Sequence, residues 1–174
     1  LSLVVLLGGA RAGKSALAVE LGRQWDGPVV YIATAEARDD EMALRISRHR
    51  EERPVEWRTI EEPIALREAL EAVDAGAYVI VDCLTLWVAN LLERGADVLA
   101  EAEETAELAA AREAPTIVIT NEVGLGVVPA TPLGREYRDL LGAVNATFVS
   151  RADEAVLVVA GRALPLLPDW RPRG

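Results

Sequence analysis

Gly8-Gly9-Ala10-Arg11-Ala12-Gly13-Lys14-Ser15 matches the phosphate-binding pattern G-x-x-x-x-G-K-[S/T] at every fixed position. The apolar residues Ser2–Leu7 before it read as a buried strand, and Ala16–Trp25 after it read as a helix. That order is what the chemistry needs. Gly8 and Gly13 let the backbone turn so that its N–H groups face an anion, and the helix adds the positive end of its dipole. A di- or triphosphate is the expected ligand, with Lys14 reaching the β- and γ-phosphates and the Ser15 hydroxyl on Mg²⁺. Lys14 is the one lysine in a chain with 18 Lys and Arg together. Lysine offers a compact point charge on a flexible stem, which Arg's planar fork does not reproduce.

Working outward, strand-like and helix-like segments alternate to the end of the chain, the pattern of an α/β fold with a mostly parallel sheet. Val29–Ala33, Val55–Ile60, Tyr78–Asp82 and Pro115–Thr120 read as strands, with Val55–Ile60 at an edge because it carries Glu56 and Arg58. The intervening helices are expected from Glu36 to Glu52, capped by Thr34; from Pro63 to Ala75; over Leu84–Arg94; and over Asp97–Glu113. Thr131 and Pro132 open a helix to Arg151, and Glu154–Ala160 with Arg162–Leu167 read as a closing hairpin. No linker, repeat or low-complexity stretch divides residues 1–174, so one domain is expected. Pro168–Gly174 reads as a tail or an arm against a neighbouring subunit.

Composition narrows the function. A net charge of −10 argues against a general nucleic-acid binder. Cys83 is the single cysteine, which excludes an internal disulfide and suits a reducing cytoplasm. No apolar run reaches the roughly 18 residues of a membrane span; the nearest, around Tyr78 to Leu92, is interrupted by Asp82 and Asn90. The apolar start is only seven residues long and runs into the phosphate loop, so a signal peptide is not expected.

Three further stretches carry candidate chemistry. Tyr78–Asp82 places a carboxylate at the C-terminal end of a buried strand, where parallel sheets present ligands. Asp82 is therefore expected to hold Mg²⁺ beside Ser15; the competing role is a helix cap. Asn121–Pro129 is a loop with two glycines and unusual apolar content, read as site-lining, with Glu122 near the reacting phosphate or substrate. A structured turn is the alternative. His49, the sole histidine, lies among Arg45, Arg48, Arg50 and Arg53. Nearby cations favour neutral imidazole, and guanidiniums can offset charge on a phosphate it attacks. On the residues alone, a solvated helix face whose arginines pair with Glu41, Glu51 and Glu52 is the simpler account.

The chain resembles the bifunctional adenosylcobinamide kinase / adenosylcobinamide-phosphate guanylyltransferase family of cobalamin biosynthesis. The resemblance rests on Gly8–Ser15, on Y-I-A-T-A at Tyr31–Ala35 and on D-D-E-M-A-L-R-I-S-R-H-R at Asp39–Arg50. It continues in R-P-V-E-W-R-T at Arg53–Thr59, D-C-L-T-L-W-V-A-N-L-L at Asp82–Leu92, T-N-E-V-G-L-G-V-V-P at Thr120–Pro129 and R-E-Y-R-D-L-L-G-A-V-N at Arg135–Asn145. It implies a RecA-like P-loop fold and a homotrimer whose histidine-bearing helix can move relative to the P-loop. It implies that ATP or GTP phosphorylates adenosylcobinamide. GTP then guanylylates a histidine, and the GMP passes to adenosylcobinamide phosphate. The guanylylated histidine falls on His49, the second of a histidine pair in many members; Arg48 stands at the position of the first. The loop residues Gly8, Gly9, Ala10, Arg11, Ala12, Gly13, Lys14 and Ser15, with Arg45, Arg48, Arg50 and Arg53, are the expected nucleotide ligands. His49, Lys14 and Glu122 are the expected catalytic groups. A kinase of another small alcohol without a covalent step, and a nucleotide-switched binding module, are the alternatives.

Overall fold

The computed structural model describes residues 2–166, with Arg45 by its backbone alone; the Pro168–Gly174 tail lies outside the described residues. In chain order the elements are β1 (Leu3–Gly8), α1 (Lys14–Arg23), β2 (Val29–Ala33), α2 (Asp40–Glu51), β3 (Arg58–Glu61), α3 (Leu66–Glu71) and β4 (Tyr78–Asp82). They continue with α4 (Leu84–Glu93), α5 (Val98–Ala111), β5 (Thr116–Ile119), α6 (Pro132–Arg151), β6 (Glu154–Val159) and β7 (Arg162–Leu166). One seven-stranded sheet, ordered β3-β2-β4-β5-β1-β6-β7, gathers the strands. All pairings are parallel except β6 with β7.

The strands are near-continuous apolar runs because both faces of the sheet are covered. Alternate residues divide between two cores. Leu3, Val5 and Leu7 of β1 join Trp87, Leu91, Leu141 and Phe148 on the face covered by α3 to α6. Val4 and Leu6 join Tyr31, Ile80 and Ala18 on the face covered by α1. Trp87 is fully buried and donates its indole N–H to the Ile64 carbonyl at 2.7 Å, as a buried Trp requires.

Several element starts differ from the sequence expectation, each for a local reason. The helix expected from Glu36 begins at Asp40, because Asp39, and not Thr34, accepts the Met42 amide as the cap. Thr34 is buried instead. Its hydroxyl donates to the Cys83 carbonyl at 2.7 Å and accepts the Cys83 amide at 2.9 Å, clipping the ends of β2 and β4 together. The edge strand starts at Arg58 because Pro54–Trp57 forms a turn closed by the Trp57 amide. The helix expected from Pro63 starts at Leu66, after the Glu62 carboxylate has accepted the Ile64 and Ala65 amides. The β6–β7 hairpin turns on Ala160 and Gly161, both at positive φ (49° and 75°), which matches the twist of the two strands.

One position ties the sheet to the phosphate loop by close approach. Gly8 has φ +151°, and a Cβ there would stand 2.2 Å from the Val158 carbonyl oxygen of β6. Backbone cannot swing aside as a flexible side chain can. A residue forced into such a conformation costs about 1–3 kcal/mol before the clash is counted. Gly8→Ala is therefore expected to lower the melting temperature by about 10 °C, at about 2–4 °C per kcal/mol for a chain of this size. Gly9→Ala, with nothing within 4 Å of the added Cβ, leaves it within about 2 °C. Thermal melts of the two variants followed by circular dichroism compare them directly.

Candidate active site

The site forms at the C-terminal edge of the parallel strands, where β1, β4 and β2 end beside the start of α1. The loop Gly9–Gly13 bends back on itself: the Ala12 amide donates to the Gly9 carbonyl at 3.3 Å, and Arg11 occupies the left-handed region at φ 58°. The β6–β7 turn braces it from outside, the Gly161 amide donating to the Ala12 carbonyl at 2.8 Å. Gly9, Ala10 and Arg11 are exposed, while Ala12 and Lys14 are buried. Gly13 caps α1 with no side-chain bond. The first amides of that helix consequently have no side chain to satisfy them, the property that suits a helix start to an anion.

Lys14 is 7% exposed, and its ammonium donates to the Gly8 carbonyl at 3.0 Å and the Gly9 carbonyl at 2.7 Å. Burial lowers its pKa, against the raising influence of Cys83 and Asp82. The lysine thus bridges its own loop from inside.

β5 lies between β1 and β4, yet the two strand ends still meet through side chains. The Ser15 hydroxyl donates to Oδ2 of Asp82 at 3.1 Å, and the Tyr31 hydroxyl donates to the same oxygen. Asp82 does not cap α4; that helix is capped by Cys83 without a side-chain bond. Burial, and then the Asp82 charge, push the Tyr31 phenol well above its ordinary pKa, so it stays a donor. A hydroxyl and a carboxylate meeting at 3.1 Å are hard oxygen donors of the kind Mg²⁺ takes.

The helix α2 lays His49 over this cluster. Its Nδ1 stands 4.0 Å from Oδ2 of Asp82, with the His49 side chain 46% exposed and that of Asp82 15% exposed. The sequence separates His49 from the phosphate loop by more than thirty residues, and the fold brings both to one carboxylate. The described arginine side chains around His49 take different surroundings. Arg53 stacks its guanidinium 3.6 Å from the centre of the Tyr31 ring. Arg50 pairs with Glu61 at the edge strand, where Glu51 and Glu52 had been expected as partners. Arg48 is exposed; the Arg45 side chain lies outside the described structure.

The Asn121–Pro129 loop also reaches the site, by its backbone. The Glu122 amide donates to the Gly8 carbonyl at 3.2 Å, while the Glu122 carboxylate accepts the Gly124 amide of its own loop at 3.2 Å. The geometry thus combines the two readings, a turn held by Glu122 and a wall beside the phosphate loop. Thr85, Asn145 and Thr120 anchor its start: the Asn121 amide donates to the Thr85 hydroxyl, and the Asn145 amide group donates to the Asn121 carbonyl. Leu125, Val127 and Val128 are exposed.

Sequence reasoning named Tyr31 and Asn145 only as members of longer stretches and gave neither a role. Tyr31 stands in a Val/Ile strand, where a buried phenol demands a partner; that demand was the available sign. Asn145 lies mid-helix, where nothing local marks it. A second ionic cluster was also missed. Arg38 reaches Glu36, Glu93 and the Asn90 side chain, and Arg94 reaches Glu36, fastening the segment before α2 to α4.

Strand–phosphate loop–helix with a strand-end carboxylate on the loop serine defines a P-loop nucleotide-binding protein of the RecA-like type. Solved structures agree on the fold. The PH0250 protein of Pyrococcus horikoshii OT3 superposes with a TM-score of 0.56 at 10% identity, over 94% of this chain and 85% of that one. The RadB recombinase superposes at 0.52 and 18% identity, over 90% and 73%. Residues 4–166 match the family described as cobinamide kinase / cobinamide phosphate guanyltransferase, and the chain belongs to that family. It is 44% identical to the bifunctional adenosylcobalamin biosynthesis protein CobP of Pseudomonas aeruginosa PAO1, over 93% of this chain and 95% of the relative. It is 38% identical to the CobU protein of the same description from Escherichia coli K12, over 91% and 96%.

Proposed function

We propose that this chain is a bifunctional enzyme of cobalamin biosynthesis, working as one catalytic domain. It phosphorylates the hydroxyl of adenosylcobinamide with ATP or GTP, then transfers GMP from GTP to adenosylcobinamide phosphate. The observation that carries the reading is the meeting of His49, Ser15 and Tyr31 at one oxygen of Asp82, beside Lys14.

In this reading Lys14 and the amides of Gly9–Ser15 hold the triphosphate. The Ser15 hydroxyl and the Asp82 carboxylate hold Mg²⁺, which when bound neutralises charge on the phosphate oxygens. A nitrogen of His49 attacks the α-phosphorus of GTP. The N–P bond forms as the bond to the bridging oxygen of the β-phosphate breaks, and pyrophosphate leaves within the phosphate loop. A phosphate oxygen of adenosylcobinamide phosphate then attacks the same phosphorus and frees the imidazole. Arg11 and Arg48, both exposed, and Arg45 meet developing charge in this reading. Glu122 positions the loop wall. Arg50 and Arg53 hold α2 in place rather than touch nucleotide. The reading keeps the family's homotrimer and a cytoplasmic location; among the described residues no helix is long and apolar enough to cross a membrane.

Incubation with Mg²⁺ and α-³²P-GTP, then denaturation, tests it. Acid-labile, alkali-stable label on the protein that chases to a cobinamide product on adding adenosylcobinamide phosphate is the expected result. Nucleotide binding without retained label would leave a kinase of another alcohol, or a nucleotide-switched module, in its place.

A further inference from the structure

We infer that Tyr31 is a positioning residue for His49, acting through Asp82: it fixes the carboxylate so that Oδ2 faces Nδ1, which keeps the imidazole proton on Nδ1 and leaves Nε2 as the nucleophile. The inference deepens the guanylylation reading and rests on it for its catalytic consequence.

Tyr31 touches both halves of the arrangement. Its ring is 1% exposed, rigidly packed in the core beneath α1 with Ile80 and Ala33. Its hydroxyl donates to Oδ2 of Asp82. Its ring face carries the Arg53 guanidinium at 3.6 Å. Arg53 lies four residues after His49, just beyond the end of α2. One side chain therefore sets the carboxylate on one side and seats the end of the histidine's helix on the other. Cation–π contact of this kind favours a planar guanidinium on a fixed ring.

The geometry selects a nitrogen. Nδ1, not Nε2, is the atom 4.0 Å from Oδ2. A small rotation of this half-exposed ring closes the gap to a hydrogen bond, and needs no bound nucleotide to do so. Ser15, Tyr31 and His49 all face Oδ2; the proposed reading assigns the Ser15 hydroxyl to Mg²⁺, which leaves Tyr31 and His49 as the two groups that position the carboxylate against the imidazole. A carboxylate on Nδ1–H determines the tautomer and orients the ring, the logic by which the other nitrogen is freed for chemistry. Without that partner the histidine ring reverts to its intrinsic preference for the proton on Nε2, where it would block attack.

His49 is the one histidine of the chain, so its ring nitrogens give a single pair of resonances in ¹⁵N-labelled protein. Long-range ¹H–¹⁵N spectra of the nucleotide-free protein are recorded at pH about 8.5, well above the ordinary histidine pKa of about 6.5. Wild type is expected to show Nδ1 as the protonated nitrogen. Tyr31→Phe, which keeps the ring and the Arg53 seat, moves the signals toward the Nε2–H form. It also slows covalent guanylylation about tenfold at saturating GTP, with KM within about twofold. Asp82→Ala gives the same spectral shift by removing the acceptor, and serves if Tyr31→Phe fails to fold. A wild-type ring already protonated on Nε2, or spectra unchanged in both variants, overturns the inference. If wild type retains no label, the guanylylation reading falls, while the spectra still decide the Tyr31–Asp82 restraint independently.

Discussion

His49→Ala is expected to abolish protein-bound label from α-³²P-GTP while leaving phosphorylation of adenosylcobinamide within about threefold of wild type. The first half follows from covalent chemistry. With no imidazole there is no N–P bond to form, and nearby Arg and Tyr groups do not replace a neutral nitrogen nucleophile at this site. The second half follows from where His49 stands. Its side chain is 46% exposed on α2. Lys14, Ser15 and Asp82, the groups assigned to the triphosphate, are held by contacts that do not pass through it. Alanine is the best helix former, so the helix itself is not weakened. The melting temperature is accordingly expected to stay within about 2 °C. Parallel assays of retained label and of cobinamide phosphorylation on one preparation measure the split. Full labelling in the variant would move the nucleophile elsewhere; loss of both activities would place His49 in the kinase step as well.

The fold was legible because its pattern is repetitive and local. Apolar runs bounded by Gly and Pro mark strands, and the strand before Gly8 with the helix after Ser15 sets the sheet's direction. What the sequence did not disclose depended on tertiary partners. Thr34 looked like a cap because it precedes a helix-like stretch; the fold uses it to clip β2 to β4, and Asp39 caps instead. The arginines near His49 looked like one cationic cluster. Their long side chains diverge, Arg50 to the edge strand and Arg53 to the Tyr31 ring, because each finds a different partner from the same helix end. The proximity of His49 to Asp82 was out of reach for the same reason: 33 residues of chain and two intervening elements separate them, and only the parallel order β3-β2-β4 returns both to one edge. The family resemblance suggested the role proposed for His49 before any geometry did.

Lys14→Met is expected to remove both activities with almost no effect on folding, the opposite of Gly8→Ala. The folding half can be argued contact by contact. Lys14 bridges the carbonyls of Gly8 and Gly9, yet neither depends on it: Gly8 also accepts the Glu122 amide at 3.2 Å, and Gly9 accepts the Ala12 amide at 3.3 Å. Burial lowers the lysine's pKa, so its charged form is disfavoured in the folded chain relative to the unfolded one. That is a cost to stability at neutral pH, relieved as pH rises through the lowered folded value, and it vanishes with methionine. Two lost hydrogen bonds and one relieved desolvation nearly offset, leaving a change within about 1 kcal/mol and a melting temperature within about 4 °C. The chemical half does not offset. A preorganised cation aimed at charge that develops on departing phosphate oxygens is worth about 10²–10³ in rate. Methionine matches the stem and supplies no charge. Since pyrophosphate and the γ-phosphoryl group would both occupy the Gly8–Ser15 loop, guanylylation and phosphorylation should fall together, where His49→Ala separates them. Single-turnover rates for both reactions, beside a thermal melt, check this. Retention of more than about a tenth of the wild-type rate in either reaction would remove that reaction's phosphates from the loop.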